Sequence, residues 1–157
     1  MMVNPQTYKL IDLFIKQGSW FEVFMHEPVR TSEEASKVRH GYSITNGAKA
    51  LILKTEKGFI MAVITGDAKF DKHKLKKLLN IKDLRFATEE EVSNLTGGLL
   101  LGGVPPFGSF FGLKTYADQQ VFNNSKIIFN CGDRTVSVGM KSDQYLQIEK
   151  PEVVDIV

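Results

Sequence analysis

The sequence contains a single cysteine, Cys131, so no disulfide can form within the chain of 157 residues. Its three histidines, His26, His40 and His73, fall in separate stretches, and no zinc-type Cys/His spacing occurs. A structural zinc site and a disulfide-held secreted scaffold are thereby excluded. No apolar run approaches the roughly 20 residues of a membrane span. The opening Met1-Met2-Val3-Asn4-Pro5 has no basic stretch followed by an apolar core, which makes a signal peptide unexpected and a reducing cytoplasm the expected compartment. Phosphate loops of the G-x-x-x-x-G-K-[ST] type, G-x-S-x-G elbows and H-E-x-x-H pairs are also missing. Excess charge of one sign is absent as well. Twenty Lys and Arg against 18 Asp and Glu leave a formal charge of +2, too little to announce a nucleic-acid binder from the total alone.

The distribution of charge says more. Lys69, Lys72, Lys74, Lys76, Lys77, Lys82 and Arg85 crowd one stretch that holds only Asp71 and Asp83, while Glu33-Glu34 and Glu89-Glu90-Glu91 lie elsewhere. The molecule is expected to have a basic side, suited either to a phosphate backbone or simply to solvent. A chain of this length buries roughly two-thirds of its unfolded surface and needs no metal to hold it together.

Asn4-Pro5 reads as an N-cap and first helical residue, and the apolar spacing of Leu10, Ile11, Phe14 and Ile15 continues a helix that Gly18 closes. Residues 20–25 suit a strand. Thr31-Ser32-Glu33-Glu34 opens a second helix that should stop near Gly41. Residues 49–54 and 59–64 flank Thr55-Glu56-Lys57-Gly58 as a hairpin whose second strand is apolar on both faces and therefore central. Asp71 caps a helix over 72–79 with Leu75, Leu78 and Leu79 inward, and Thr88 with Glu91 caps another that ends at Gly97-Gly98. Residues 127–129 and 135–140 are expected to pair around Cys131-Gly132-Asp133, Ser142-Asp143 starts a last short element, and the tail after Pro151 docks. Helices and hairpins in this order argue for α+β, in one domain over 1–157 whose residues 1–19 form an N-terminal helix.

Few residues stand out chemically. His26 follows a hydrophobic strand and is the best placed of the histidines. Cys131 has only Arg134 nearby as a cation, so either an inert buried thiol or a nucleophile fits it. Lys49 begins an apolar strand just after Asn46-Gly47-Ala48. A lysine there can hold an anion or polarise a carbonyl, or can merely discourage edge pairing. Gly102-Gly103-Val104-Pro105-Pro106-Phe107-Gly108 is the most unusual segment. Glycines let backbone N–H groups approach a ligand and prolines fix the loop's shape, although a tight turn between core elements reads the same way.

Taken in order, Met25-His26-Glu27-Pro28, Thr31-Ser32-Glu33-Glu34-Ala35, Ala48-Lys49-Ala50-Leu51-Ile52-Leu53, Val63-Ile64-Thr65-Gly66-Asp67, Thr96-Gly97, the 102–108 loop and Phe129-Asn130-Cys131-Gly132 resemble the YbaK/prolyl-tRNA editing-domain family, the bacterial prolyl-tRNA synthetase insertion-domain superfamily. The resemblance implies an α+β fold with a curved, mostly antiparallel mixed sheet, barrel-like at its core, wrapped by helices. It implies hydrolysis of the ester that joins a wrong amino acid to tRNA, with no cofactor and no metal. Lys49 occupies the family's key lysine position, and Gly102 and Pro106 are the fixed ends of its G-x-x-x-P loop, with Gly103, Val104 and Pro105 between. His26 and Asn130 are implied to join the substrate site; for such a substrate Lys69, Lys72 and Lys76 of the basic stretch are the expected tRNA contacts. The chain has no synthetase body, so a freestanding trans-editing protein is expected, with mischarged tRNA as partner, a synthetase as a second one, and no membrane. Ala50 stands where some members carry Asn, and Asn130-Cys131-Gly132 where some carry His, so the edited amino acid stays open within the Ala, Ser, Thr and Cys class. Phe24, Ile44, Val63 and Phe107 are the expected lining of a small pocket. A non-catalytic binding module of the same fold, and a hydrolase working through Cys131, are the competing readings.

Overall fold

The computed structural model describes residues 3–29 and 31–157. Asn4 accepts a hydrogen bond from the Gln6 N–H on its side chain and starts α1 (Pro5–Lys16), which buries Thr7, Leu10 and Phe14. Gly18, at φ +66°, turns the chain into β1 (Phe21–Met25). Thr31 Oγ1 accepts from the Glu34 N–H at 3.1 Å and opens α2 (Ser32–Val38). A short 3-10 turn, Ile44–Asn46, then leads into the hairpin of β2 (Ala48–Thr55) and β3 (Gly58–Thr65). There follow α3 (Lys72–Leu79), β4 (Leu84–Phe86), α4 (Glu89–Thr96), β5 (Lys114–Asp118), β6 (Lys126–Asp133), β7 (Val136–Lys141), α5 (Ser142–Glu149) and β8 (Glu152–Val154).

The architecture is the expected α+β. The strands divide between two sheets, one ordered β1-β7-β6 and one ordered β4-β2-β3-β5-β8, with a bridge between Gly47 and Ile128 outside the named strands. Most pairings are antiparallel; β3 with β5 and β5 with β8 run parallel. The hairpin's second strand is central, as its two-faced apolar pattern requires, and Met61, Ala62, Val63 and Ile64 are all sealed from solvent. One of its faces joins Leu10, Phe14, Phe107, Phe129 and Tyr145 in the larger core. The other packs Ala62 and Ile64 with Leu75, Leu84 and Ile156.

Two details depart from expectation. Leu78 is 51% exposed, not inward, because the eight-residue α3 lies on one face of the sheet and Leu75 supplies its fully buried contact. The segment Lys114–Asp118 is a strand that its polar ends concealed, and it sits between β3 and β8.

Candidate active site

The cleft lies at the end of the hairpin away from its 55–58 turn. Residues of α2 and its two ends (Thr31, Ser32, Ala35, Ser36 and Arg39) face the 3-10 turn and the first residues of β2, with Gly66, Gly102, Val104 and Asn130 completing the wall. Two glycines allow the turn to lie this close. A Cβ on Gly66 would stand 2.6 Å from the Ile44 carbonyl oxygen, and one on Gly47 would stand 3.2 Å from it. The cavity volume is about 100 Å3. That is small beside the roughly 300–1,000 Å3 of pockets for larger ligands, so a short side chain is what it can enclose.

Lys49 is exposed at the start of β2 and lines this cleft. Among the described residues its ammonium makes no ion pair with any carboxylate. Glu33 and Asp67 line the adjoining opening together with Lys49, but neither is paired with it. The charge at the cleft mouth is therefore available to an anion or to a polarised oxygen.

The glycine–proline loop is held from several sides. Gly102, at φ +85°, takes a backbone conformation that a side chain would strain. The Leu101 carbonyl accepts from Arg134 Nε at 2.7 Å, the Gly103 carbonyl from the Gly132 N–H at 2.8 Å, and the Pro106 carbonyl from the Tyr145 hydroxyl at 2.6 Å. Asn130 Nδ2 donates to the Gly102 carbonyl. Such a loop reaches the substrate already ordered, which is what precise positioning of a reacting group needs.

Asn130 belongs to a polar network under the cleft. Arg39 Nη2 donates to Asn130 Oδ1 at 2.9 Å, and Arg39 Nε donates to Ser137 Oγ at 2.9 Å. Ser137 Oγ also lies 2.7 Å from His26 Nε2, while His26 Nδ1 lies 2.8 Å from the Glu27 carbonyl. A carbonyl only accepts, so Nδ1 carries the proton of a neutral ring and Nε2 takes the Ser137 hydroxyl. Ser137 is 0% exposed, which keeps it from serving as a nucleophile.

Lys49, Gly102, Val104 and Asn130 thus come together at one cleft, and Ile44 lines it as expected. Gly103, Pro105 and Pro106 stand behind it and give the loop its shape. His26 stands one hydrogen bond further back, through Ser137. The other three expected lining residues do not reach the cleft. Val63 and Phe107 are core residues at 0% and 1% exposure, because a strand face and a packed aromatic cluster claim them. Phe24 packs edge-on against Tyr42 instead. Lys69, Lys72 and Lys76 lie before and along α3, away from the cleft lining. Sequence reasoning missed Arg39 and Ser137. The signal that could have found Arg39 was a lone Arg at the end of a helix whose beginning matched a motif.

Among the described residues no group of His, Cys, Asp and Glu could hold a metal ion, and no helix is long and apolar enough to cross a membrane. Cys131 is fully buried, and burial pushes its thiol up to about 12.

The model of the aminoacyl-tRNA editing domain matches residues 26–148. The multifunctional Ser/Thr-tRNA deacylase ProXp-y of Escherichia coli K12 is 34% identical over 152 residues, covering 94% of this chain and 90% of that protein. A proline–tRNA ligase of Caldicellulosiruptor bescii is 34% identical over 93 residues, 59% of this chain but 16% of the ligase. The crystal structure of a candidate trans-editing enzyme for prolyl-tRNA synthetase superposes with a TM-score of 0.86 at 25% identity, over 99% of this chain and 98% of that one. The family model spans most of the chain and the Escherichia coli relative nearly all of it, and the chain belongs to the aminoacyl-tRNA editing domain family.

Proposed function

We propose that this protein is a trans-editing aminoacyl-tRNA deacylase, which hydrolyses the ester of tRNA mischarged with a small amino acid, serine and threonine foremost. The observation that carries the reading is the unpaired ammonium of Lys49 at the mouth of a cleft of about 100 Å3 whose other wall is the pinned loop at Gly102. The near full-length likeness to a Ser/Thr-tRNA deacylase supports the choice of amino acids. Residues 1–157 act as one editing domain in this reading, and the reaction belongs to the cytoplasm.

An aminoacyl ester is already activated. The protein has to place a water that adds to the acyl carbon and to stabilise the oxyanion that forms on the carbonyl oxygen. Lys49 anchors the terminal nucleotide or the acyl oxygen with its charge, and the loop at Gly102 fixes the aminoacyl group. The ribose hydroxyl next to the ester assists the attacking water, so no Ser/His/Asp set is required. The small cleft supplies what a synthetase cannot, since one methylene separates amino acids by only about 1–3 kcal/mol. Lys69, Lys72 and Lys76 give the tRNA body a basic surface.

The test is a deacylation panel on tRNAs charged with alanine, serine, threonine, cysteine and proline, with Lys49→Ala in parallel. Lys49 is exposed, so the variant is expected to fold, and to lose at least roughly a hundredfold in rate. Tight tRNA binding by the wild type with no release of any amino acid would instead identify a binding module.

A further inference from the structure

Arg39 is a cation that the fold removes from water and that pairs with no acid among the described residues. It is 8% exposed, and burial lowers its pKa to about 10, which leaves it charged at neutral pH. Its bonds to Ser137 Oγ and Asn130 Oδ1 use two of the five guanidinium N–H groups. Among the described residues it makes no ion pair, and its Nη1 has no hydrogen-bond partner. That nitrogen is not sealed in the core either: the one buried side-chain polar atom without a partner among the described residues is Thr65 Oγ1. Arg39 lines the cleft, the opening on which an unsealed nitrogen of this residue can draw. A largely buried guanidinium with unused donors gains most from an acceptor that excludes water around it.

The surroundings narrow the acceptor. Val29, Ala35, Ala48, Ala50 and Val104 give the cleft apolar walls fit for a methyl or methylene. The Asn130 amide is committed, with Oδ1 taking Arg39 and Nδ2 held by the Gly102 carbonyl. The lining also holds the Thr31 and Ser32 hydroxyls, the second Asn130 N–H and the exposed Lys49 ammonium, and among these donors Arg39 alone is a buried cation. We propose that Arg39 is a specificity-determining residue, whose free guanidinium edge donates to the side-chain oxygen of a bound seryl or threonyl ester and so favours hydroxyl-bearing amino acids over alanine. This rests on the deacylase reading above. If Arg39 met the ester carbonyl or a phosphate instead, every substrate would feel its loss equally.

The experiment measures kcat/KM on one tRNA charged with serine or with alanine, for wild type, Arg39→Met and Arg39→Lys, with thermal melts of each. Methionine fills the stem's volume, and Ser137 Oγ, 3.2 Å from Asn130 Oδ1, can turn its one hydroxyl proton to that acceptor only by releasing His26 Nε2, so the melts read the cost of the lost bonds. Arg39→Met is expected to lower the Ser/Ala ratio of kcat/KM by roughly ten- to a hundredfold, on top of any loss that both substrates share through Asn130 and the loop at Gly102. Arg39→Lys, which keeps the charge but not the planar fork, should lower the Ser/Ala ratio too, and it carries the test if the Met variant fails to fold. An unchanged ratio in the folded variants, whether both substrates slow together or neither does, overturns the proposal. A wild type that releases neither amino acid overturns the deacylase reading itself, and this proposal with it.

Discussion

Cys131 shows how a residue's surroundings decide its chemistry. The thiolate is the nucleophile, and a thiol pushed up to about 12 by burial is protonated throughout the physiological range. It has no access to the cleft and is one of the core side chains. Deacylation is therefore expected to survive iodoacetamide at pH 8 with its initial rate intact. Loss of activity that tracks labelling of Cys131 would revive the reading in which this residue is the nucleophile. Lys49 is the opposite case, an exposed charge with its valence open, and all of its value lies in what comes to it. Glu149 is a third kind. It is 7% exposed and makes no ion pair among the described residues, yet it is satisfied by hydrogen bonds, accepting from the Ser109 N–H and hydroxyl and from the Thr115 hydroxyl.

At the scale of elements, α4 is set by its first turn. Thr88 Oγ1 accepts from the Glu91 N–H at 3.2 Å, and Glu91 Oε1 accepts from the Thr88 N–H at 2.9 Å. Arg85 grips the same carboxylate with bonds of 2.8 and 3.0 Å. The Arg85 guanidinium, and after it the Thr88 N–H, hold Glu91 down to about 2, from an ordinary 4.5. A depressed carboxylate stabilises the fold fully above its unfolded value and loses that contribution as pH falls through the folded one. Glu91→Gln should therefore melt below the wild type at pH 7, and the two melting temperatures should converge as pH drops from about 5 to 2. A gap that stays constant over that range would show the carboxylate charge to be irrelevant. The turn beside the cleft is set differently, by the absence of a side chain. Gly66→Ala forces the Ile44 backbone away, at an expected cost of about 1–3 kcal/mol in unfolding free energy, and lowers kcat/KM as well because both residues line the cleft. A stable, fully active Gly66→Ala would mean that the turn gives way freely.

For the whole molecule, the basic run along α3 divides by use. Lys74 is tied to Asp155 at 3.1 Å, and Arg85 to Glu91, so these two charges are spent within the fold. Lys69, Lys72 and Lys76 make no ion pair among the described residues. Neutralising tRNA phosphates releases counterions, so the KM for mischarged tRNA should climb with KCl. Replacing all three lysines with serine should raise KM and flatten the log–log salt slope by up to about three, one for each lysine, with kcat unchanged. An unaltered slope would move the tRNA to another face.

What the sequence by itself determined is the set of features in which a side chain answers its own neighbourhood. Asn4 and Thr88 announce their helices because each caps N–H groups two or three residues away. The 49–54 and 59–64 runs announce a hairpin because a two-residue turn fixes their register. The motif residues Lys49, Gly102 and Asn130 were legible as a family pattern, although nothing local says that they meet. Tertiary structure alone decided the rest. Lys114–Asp118 becomes an inner strand only through parallel partners on β3 and β8, and its own polar ends argue against that. Arg39 is an ordinary helix-end arginine until Asn130 and Ser137, 91 and 98 residues away along the chain, close over it. Burial is the reason for the difference. A hydrogen bond to a near neighbour forms wherever the local backbone allows it, but a charge acquires its function from what excludes water around it, and only the folded chain supplies that.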